Sequence, residues 1–251
     1  MTSTRMDAVP RSWLDVAAIL AVVVALGFAF LSPPDSSQGE VARLFYVHLP
    51  VILGAYLAFL VNFVASALYL GSRNLRWDHW AVSGAEVGVV LTGLTLGIGM
   101  LWAKPTWGVF WTWSARLTLT AIMFFVYLGY LTLRRATNDQ RSRAFRSAIF
   151  GMLAIIQIPL VHFSVSIWRD IHQQPTVLRP DGAQMDDVLR NALLAGIIAY
   201  GLVTAALLRR RYHLARIQSL VDLELEQGGG DLAGEAISPP TLPGDQSEVS
   251  S

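Results

Sequence analysis

Six apolar stretches alternate with short polar segments along this 251-residue chain, and each is long enough to cross a membrane, for which about 20 residues suffice. The pattern predicts an all-α, polytopic membrane protein with six transmembrane helices. The first stretch, residues 13–31, is broken only by Asp15 near its start. It is longer than a signal-peptide core and lacks a clear small-residue cleavage site, so it is read as a retained span. Pro33-Pro34-Asp35-Ser36-Ser37-Gln38-Gly39 is turn chemistry and makes the first loop. Further spans are predicted over about 44–70, 81–102, 117–133, 147–168 and 192–208. The third holds Glu86 and the pair Gly93 and Gly97, at a spacing that allows close helix approach. In the fifth, Pro159 lacks a backbone donor and predicts a kink within a turn of His162.

Charge gives the spans a direction. Arg5, Arg11, Arg73, Arg76, Arg134, Arg135, Arg141, Arg143, Arg146, Arg209, Arg210, Arg211 and Arg216 fall on one side of the predicted topology, thirteen in all, against six on the other: Arg43, Lys104, Arg116, Arg169, Arg179 and Arg190. Cytoplasmic loops carry the excess of basic residues, so both termini are expected in the cytoplasm. The domain reading is a cytoplasmic segment over 1–11, a six-helix membrane domain over 12–216 with an outward Trp-rich loop at 103–116, and a cytoplasmic tail over 217–251. From about 227 the tail is rich in Gly, Pro, Ser and acids, and disorder is expected there.

Composition narrows the chemistry. Apolar residues make up 53% of the chain and charged residues 15%, the profile of a membrane protein rather than a soluble domain. There is no cysteine, which excludes a disulfide, a thiolate metal site, a Cys-x-x-Cys redox pair and a Cys-x-x-Cys-His haem-attachment site. Any redox or haem chemistry here needs histidine or a partner.

Two features stand out against this background. Trp107-Gly108-Val109-Phe110-Trp111-Thr112-Trp113-Ser114-Ala115-Arg116 places three tryptophans and a phenylalanine within seven residues, introduced by Lys104-Pro105-Thr106. Such a run serves either as an interfacial belt, where Trp is enriched, or as a flat aromatic platform for a ligand. The second feature is a pair of intramembrane histidines. His48 lies about one turn inside the second span, and His162 about 15 residues into the fifth, which at 1.5 Å per residue is about 22 Å from the cytoplasmic edge. Both belong to the outer leaflet, where an ionisable group usually faces the bundle interior or a functional cavity. A lone histidine of this kind is commonly a satisfied core residue; two at matched depth beside an aromatic platform suit the iron of a haem. A porphyrin also needs cations for its propionates, and Arg116, Lys104 and Arg43 lie on the same side, though each also suits an interfacial snorkelling role. His172, in an outward loop, ranks behind His48 and His162 as a ligand. His79 and His213, among cytoplasmic arginines, are assigned no role, and Glu86, Asn62 and Gln157 read as interhelical hydrogen-bond partners.

These motifs resemble a known family. Trp107-Gly108-x-x-Trp111-x-Trp113-x-Ala115-Arg116-Leu117-Thr118, preceded by Lys104-Pro105, is similar to the Trp-rich signature of the haem-handling proteins of c-type cytochrome maturation. Phe45-Tyr46-Val47-His48-Leu49-Pro50 and Pro159-Leu160-Val161-His162-Phe163-Ser164-Val165, followed by Trp168 and Ile171-His172-Gln173, resemble the histidine segments of the haem exporter protein C (cytochrome c maturation protein C) family. The resemblance spans the six-helix region in order and stops before the tail. It implies a haem-handling protein rather than an enzyme, sited in the bacterial inner membrane. Such a protein binds haem b transiently at the outer face, delivers it to a haem chaperone, and works beside ABC transporter subunits, with lipid around it and no nucleic acid partner. It further implies axial ligation by His48 and His162 and haem contact by Trp107, Gly108, Phe110, Trp111, Trp113 and Ser114. Two positions depart from the family pattern, Phe110 standing for a usual Trp and Ser114 for a usual Asp. Phenylalanine keeps a stacking face, whereas Ser114 removes a carboxylate. The alternatives are a related cytochrome c synthase component, a membrane electron-transfer cytochrome with a permanent haem, and a channel or scaffold subunit whose aromatics are only a belt.

Overall fold

In hydrocarbon every backbone polar group must find its partner within the chain, and a helix does this segment by segment. The computed structural model describes residues 12–168, 172 and 187–237, with side chains as far as Glu224. Its helices are α1 (Trp13–Leu31), α2 (Phe45–Ser72) preceded by a 3-10 turn at Glu40–Leu44, α3 (Leu75–Trp107), α4 (Ala115–Arg135), α5 (Gln140–Ala154), α6 (Gln157–Trp168) and α7 (Asp187–Ile237). With α5 and α6 taken together, six helical segments among the described residues are long and apolar enough to cross a membrane. The protein is therefore an all-α, six-span membrane protein. The chain divides into two compact units, Met1–Ala215 and Arg216–Ser251. Segment 1–11, most of the loop after Trp168, and residues 238–251 lie outside the described residues.

The helix bounds depart from the sequence expectation where polar residues are held by partners. Only Arg73 and Asn74 separate α2 from α3, where a loop over 71–80 was expected. Arg73 takes a left-handed conformation, φ 55°, and donates its amide to the Tyr69 carbonyl; Asn74 then caps α3 through Arg76 N at 3.0 Å. Asp78, one turn into α3, is buried in a two-pronged pair with Arg134 of α4 at 2.5 and 2.8 Å, so its charge does not interrupt the helix. Asp15 lies in the first turn of α1, accepts from Ser12 N at 3.0 Å, and pairs with Arg210 of α7 at 3.0 Å. Glu86 pairs with Arg211, and Asn62 donates to the Ala81 carbonyl at 2.7 Å; both are the interhelical partners the sequence suggested.

The predicted kink has its cause in Pro159. The proline cannot donate to the carbonyl of Ile155, four residues before it, and the helix is interrupted there: α5 stops at Ala154 and α6 starts at Gln157. The close helix approach is made at Gly93, where an added Cβ would lie 3.3 Å from the Phe124 ring of α4, but not at Gly97, and the tightest contacts are nearer the start of α3. A Cβ at Gly84 would stand 2.5 Å from the Ala58 carbonyl, and one at Gly88 would stand 2.2 Å from the Phe59 ring, whereas nothing lies within 4 Å of Gly97. Phe59 is thereby seated flat on Tyr127, 3.6 Å between ring centres, in the core formed by α2, α3, α4 and α5. At the other end of the chain, α7 continues to Ile237, into the stretch beyond about 227 where disorder was expected. Leu232, Ala233, Glu235 and Ala236 are good helix formers and follow the Gly228–Gly230 run.

Candidate functional site

The beginnings of α2 and α4, the end of α3 and the middle of α6 enclose one cavity of about 570 Å³, within the range of roughly 300–1,000 Å³ usual for small-molecule and cofactor sites. His48, His162 and His172 all line it, together with Trp102, Trp107, Trp111 and Arg116. No carboxylate lines it among the described residues, and its remaining walls are mostly apolar. The chemistry on offer is imidazole nitrogen, aromatic faces and one fixed cation. An apolar plate carrying carboxylates and a metal ion that accepts nitrogen ligands fits such walls.

Helix geometry explains the convergence. Phe45, His48, Leu49, Ile52 and Tyr56 form one stripe of α2, and Thr95, Gly99, Trp102, Ala103 and Thr106 form one stripe of α3. His48 is gripped from the α3 side: a Cβ at Gly99 would lie 3.1 Å from its Cε1, and the Trp102 ring stands edge-on at 5.8 Å between centres. Its Nδ1 is buried and meets no hydrogen-bond partner among the described residues. On the other side, Arg116 donates to the His162 carbonyl at 3.5 Å, which ties the first turn of α4 to α6. Trp107 meets the His172 ring edge-on at 4.9 Å. His172 thus joins the same cavity as the two histidines ranked above it.

The Trp-rich segment is shorter and less uniform than the expected loop at 103–116. Residues 103–107 are the last turn of α3, and Ala115 and Arg116 open α4, leaving 108–114 as the connection. Gly108 ends α3 at φ 79° and donates to the Lys104 carbonyl at 2.9 Å; a side chain at that left-handed position costs about 1–2 kcal/mol, which accounts for glycine after Trp107. Because the segment is helical before Gly108 and non-helical after it, the aromatic residues divide. Trp107 and Trp111 line the cavity, while Phe110 is half-exposed and Trp113 is 84% exposed. The indole Nε1 of Trp111 is buried without a hydrogen-bond partner among the described residues.

Several residues named from sequence stand outside the cavity. Lys104 donates to the Gly108 carbonyl at 2.8 Å and lies over the Phe110 ring, so it completes the C-terminus of α3. Arg43 donates to the Ser32 carbonyl at 2.9 Å and pairs with Glu40. Ser114 is the N-cap of α4, its carbonyl accepting from Thr118 N at 3.0 Å. Sequence reasoning passed over Trp102, Gln38, Tyr56 and Thr120, all of which line the cavity. Trp102 was read as a span end; continuing α3 to Trp107 would have put Gly99, Trp102 and Thr106 on one face.

Comparison with known proteins gives a consistent result. The family model described as heme exporter protein C matches residues 2–222. Heme exporter protein C of Bradyrhizobium diazoefficiens is 34% identical over 212 residues, covering 82% of this chain and 77% of that protein. Heme exporter protein C of Escherichia coli strain K12 is 31% identical over 202 residues, covering 78% and 79% respectively. A putative cytochrome c biosynthesis ccmC-like mitochondrial protein of Marchantia polymorpha is 35% identical over 148 residues, covering 59% of this chain and 62% of its own length.

Proposed function

This chain belongs to the heme exporter protein C family, and from that premise we propose that it holds haem b transiently in the cavity among α2, α3, α4 and α6 and passes it to a haem chaperone of cytochrome c maturation. Membership supports a haem-handling role in cytochrome c biogenesis, as a transport subunit of a multi-pass inner-membrane system. The finer reading rests on one observation: both intramembrane histidines singled out by sequence, His48 and His162, line the same cavity as Trp107, Trp111 and Arg116.

In this reading the haem, as cargo, brings an iron that takes imidazole ligands and two propionates that need donors. His48 and His162 are the axial ligands, with His172 the reserve. Trp107 and Trp111 give the aromatic wall, and the absence of lining carboxylates among the described residues avoids repulsion of the propionates. Arg116 is the principal propionate partner; the Trp111 indole N–H, which has no partner among the described residues, is a second donor. A hydrogen bond to a charged group contributes about 1.5–3 kcal/mol, enough to orient the ring. Phe110 and Trp113, facing away from the cavity, serve the outer membrane interface or the docking partner. The thirteen-to-six bias of basic residues supports an orientation with both termini in the cytoplasm and the cavity at the periplasmic side, with ABC transporter subunits as neighbours in the membrane.

The test is transfer. Purified protein loaded with haem b is mixed with the haem chaperone, and haem is followed spectroscopically on each after separation. Haem that binds dependently on His48 and His162 and then moves to the chaperone agrees with the reading. A stoichiometric haem that does not exchange marks a resident electron-transfer cytochrome, and no haem uptake marks a scaffold; either result overturns it.

A further inference from the structure

Two of the indoles at the cavity differ in what their N–H groups meet. Among the described residues Trp111 Nε1 has no partner, whereas Trp102 Nε1 donates to Gln38 Oε1 at 2.9 Å. An indole nitrogen is only a donor, so the facing atom of the Gln38 amide is fixed as its oxygen. Gln38 reaches this position from the loop between α1 and α2, and that loop is built to hold it. The Asp35 carboxylate accepts from Ser37 Oγ at 2.6 Å, Ser37 N at 2.8 Å and Gln38 N at 2.8 Å. These donors, the Ser37 hydroxyl first, hold the Asp35 carboxyl below its usual range. Asp35 and Gly39 also exchange both backbone hydrogen bonds, at 3.2 and 2.9 Å, with Gly39 at φ 60°. The backbone on both sides of Gln38 is thereby closed into a tight turn.

We propose that Gln38 is a positioning residue for the haem site, acting through Trp102 on His48. The Trp102 ring lies 5.8 Å from the His48 ring at 72° and 6.3 Å from Phe45 at 68°, and Gly99, one turn earlier on α3, also abuts the imidazole. Trp102 is thus one jaw of the grip on His48, and its hydrogen bond to Gln38 sets the rotation of that jaw. Without the acceptor, the indole N–H at the cavity wall is unpaired, the ring gains freedom to turn, and the imidazole loses a defined orientation. The sequence offered no signal for this link, because the two residues are 64 positions apart and one is in a loop without periodicity.

The inference rests on haem being the ligand, and the experiment separates the two claims. Wild type, Gln38→Met, Trp102→Phe, the double variant and His48→Ala are loaded with haem b, checked for monodispersity in detergent, and followed in two ways: release of haem to excess apomyoglobin, and the width of the low-spin electron paramagnetic resonance signal. Gln38→Met keeps the length and removes the acceptor; Trp102→Phe keeps an aromatic ring and removes the donor. Each is expected to speed release about five-fold, the worth of one net hydrogen bond, and to broaden the low-spin signal. The double variant is expected to be no faster than Trp102→Phe alone. Gln38→Met with wild-type release and an unchanged signal overturns the inference, as does full additivity of the two substitutions. Haem in wild type that is indifferent to His48→Ala overturns instead the haem-site reading beneath it.

Discussion

Gly99 of α3 and His48 of α2 are in contact so close that a single added methyl group would press on the imidazole: its Cβ would lie 3.1 Å from His48 Cε1. In a helix interior, alanine is favoured over glycine by roughly 0.5–1 kcal/mol. Gly99→Ala is therefore expected to leave the thermal midpoint of the haem-free protein unchanged or slightly higher, while haem content at fixed supply falls several-fold. Gly99→Val should nearly abolish haem retention. A haem content that follows stability instead of opposing it would show that the space beside His48 has no role in binding.

Ser114 invites a separate prediction, since the family usually has an acid there. The residue caps α4 and does not line the cavity, and its hydroxyl is buried without a partner among the described residues. A carboxylate at an N-cap accepts from the first free amides and sits at the positive end of the helix dipole. Ser114→Asp should raise stability by about 0.5–1 kcal/mol, measured by thermal unfolding in detergent, with haem content unchanged. A rise in haem content would place the side chain in the binding site after all.

The apolar runs made the spans legible: residues 13–31 appear as α1, and the break before Pro159 follows from the missing backbone donor alone. The bounds of α3 were not legible, because Arg76, Asp78 and His79 look like a loop until Arg134 is known to neutralise Asp78 inside the bundle. The same error at the other end of α3 hid Trp102. His48, His162, Trp107, Trp111 and Arg116 could be named because each is an unusual residue type at membrane depth or in a dense aromatic run. Gln38 could not, since its role depends on a fold contact across 64 positions. Arg43 and Lys104 stand out by charge and by their place beside His48 and the aromatic run; the local partners they have at the 3-10 turn and the end of α3 depend on the fold.

The orientation of the cavity rests on basic residues, and reporter fusions test it. A fusion after Ser251 is expected to be active only as a cytoplasmic reporter, and an insertion near Gln174 only as an external one. The reverse pattern would put the histidines and the Trp-rich segment on the cytoplasmic side and remove delivery to an outer chaperone.

The central claim is that His48 and His162 hold one haem between them. The most direct measurement is the absorption spectrum of the purified, haem-loaded protein as wild type, His48→Ala and His162→Ala, each with and without added imidazole. The wild type should show a low-spin spectrum with two nitrogen ligands; each alanine variant should lose haem or turn high-spin, and imidazole should restore the low-spin form in part by filling the vacated position. Spectra of both alanine variants that match the wild type, without any response to imidazole, would contradict the assignment.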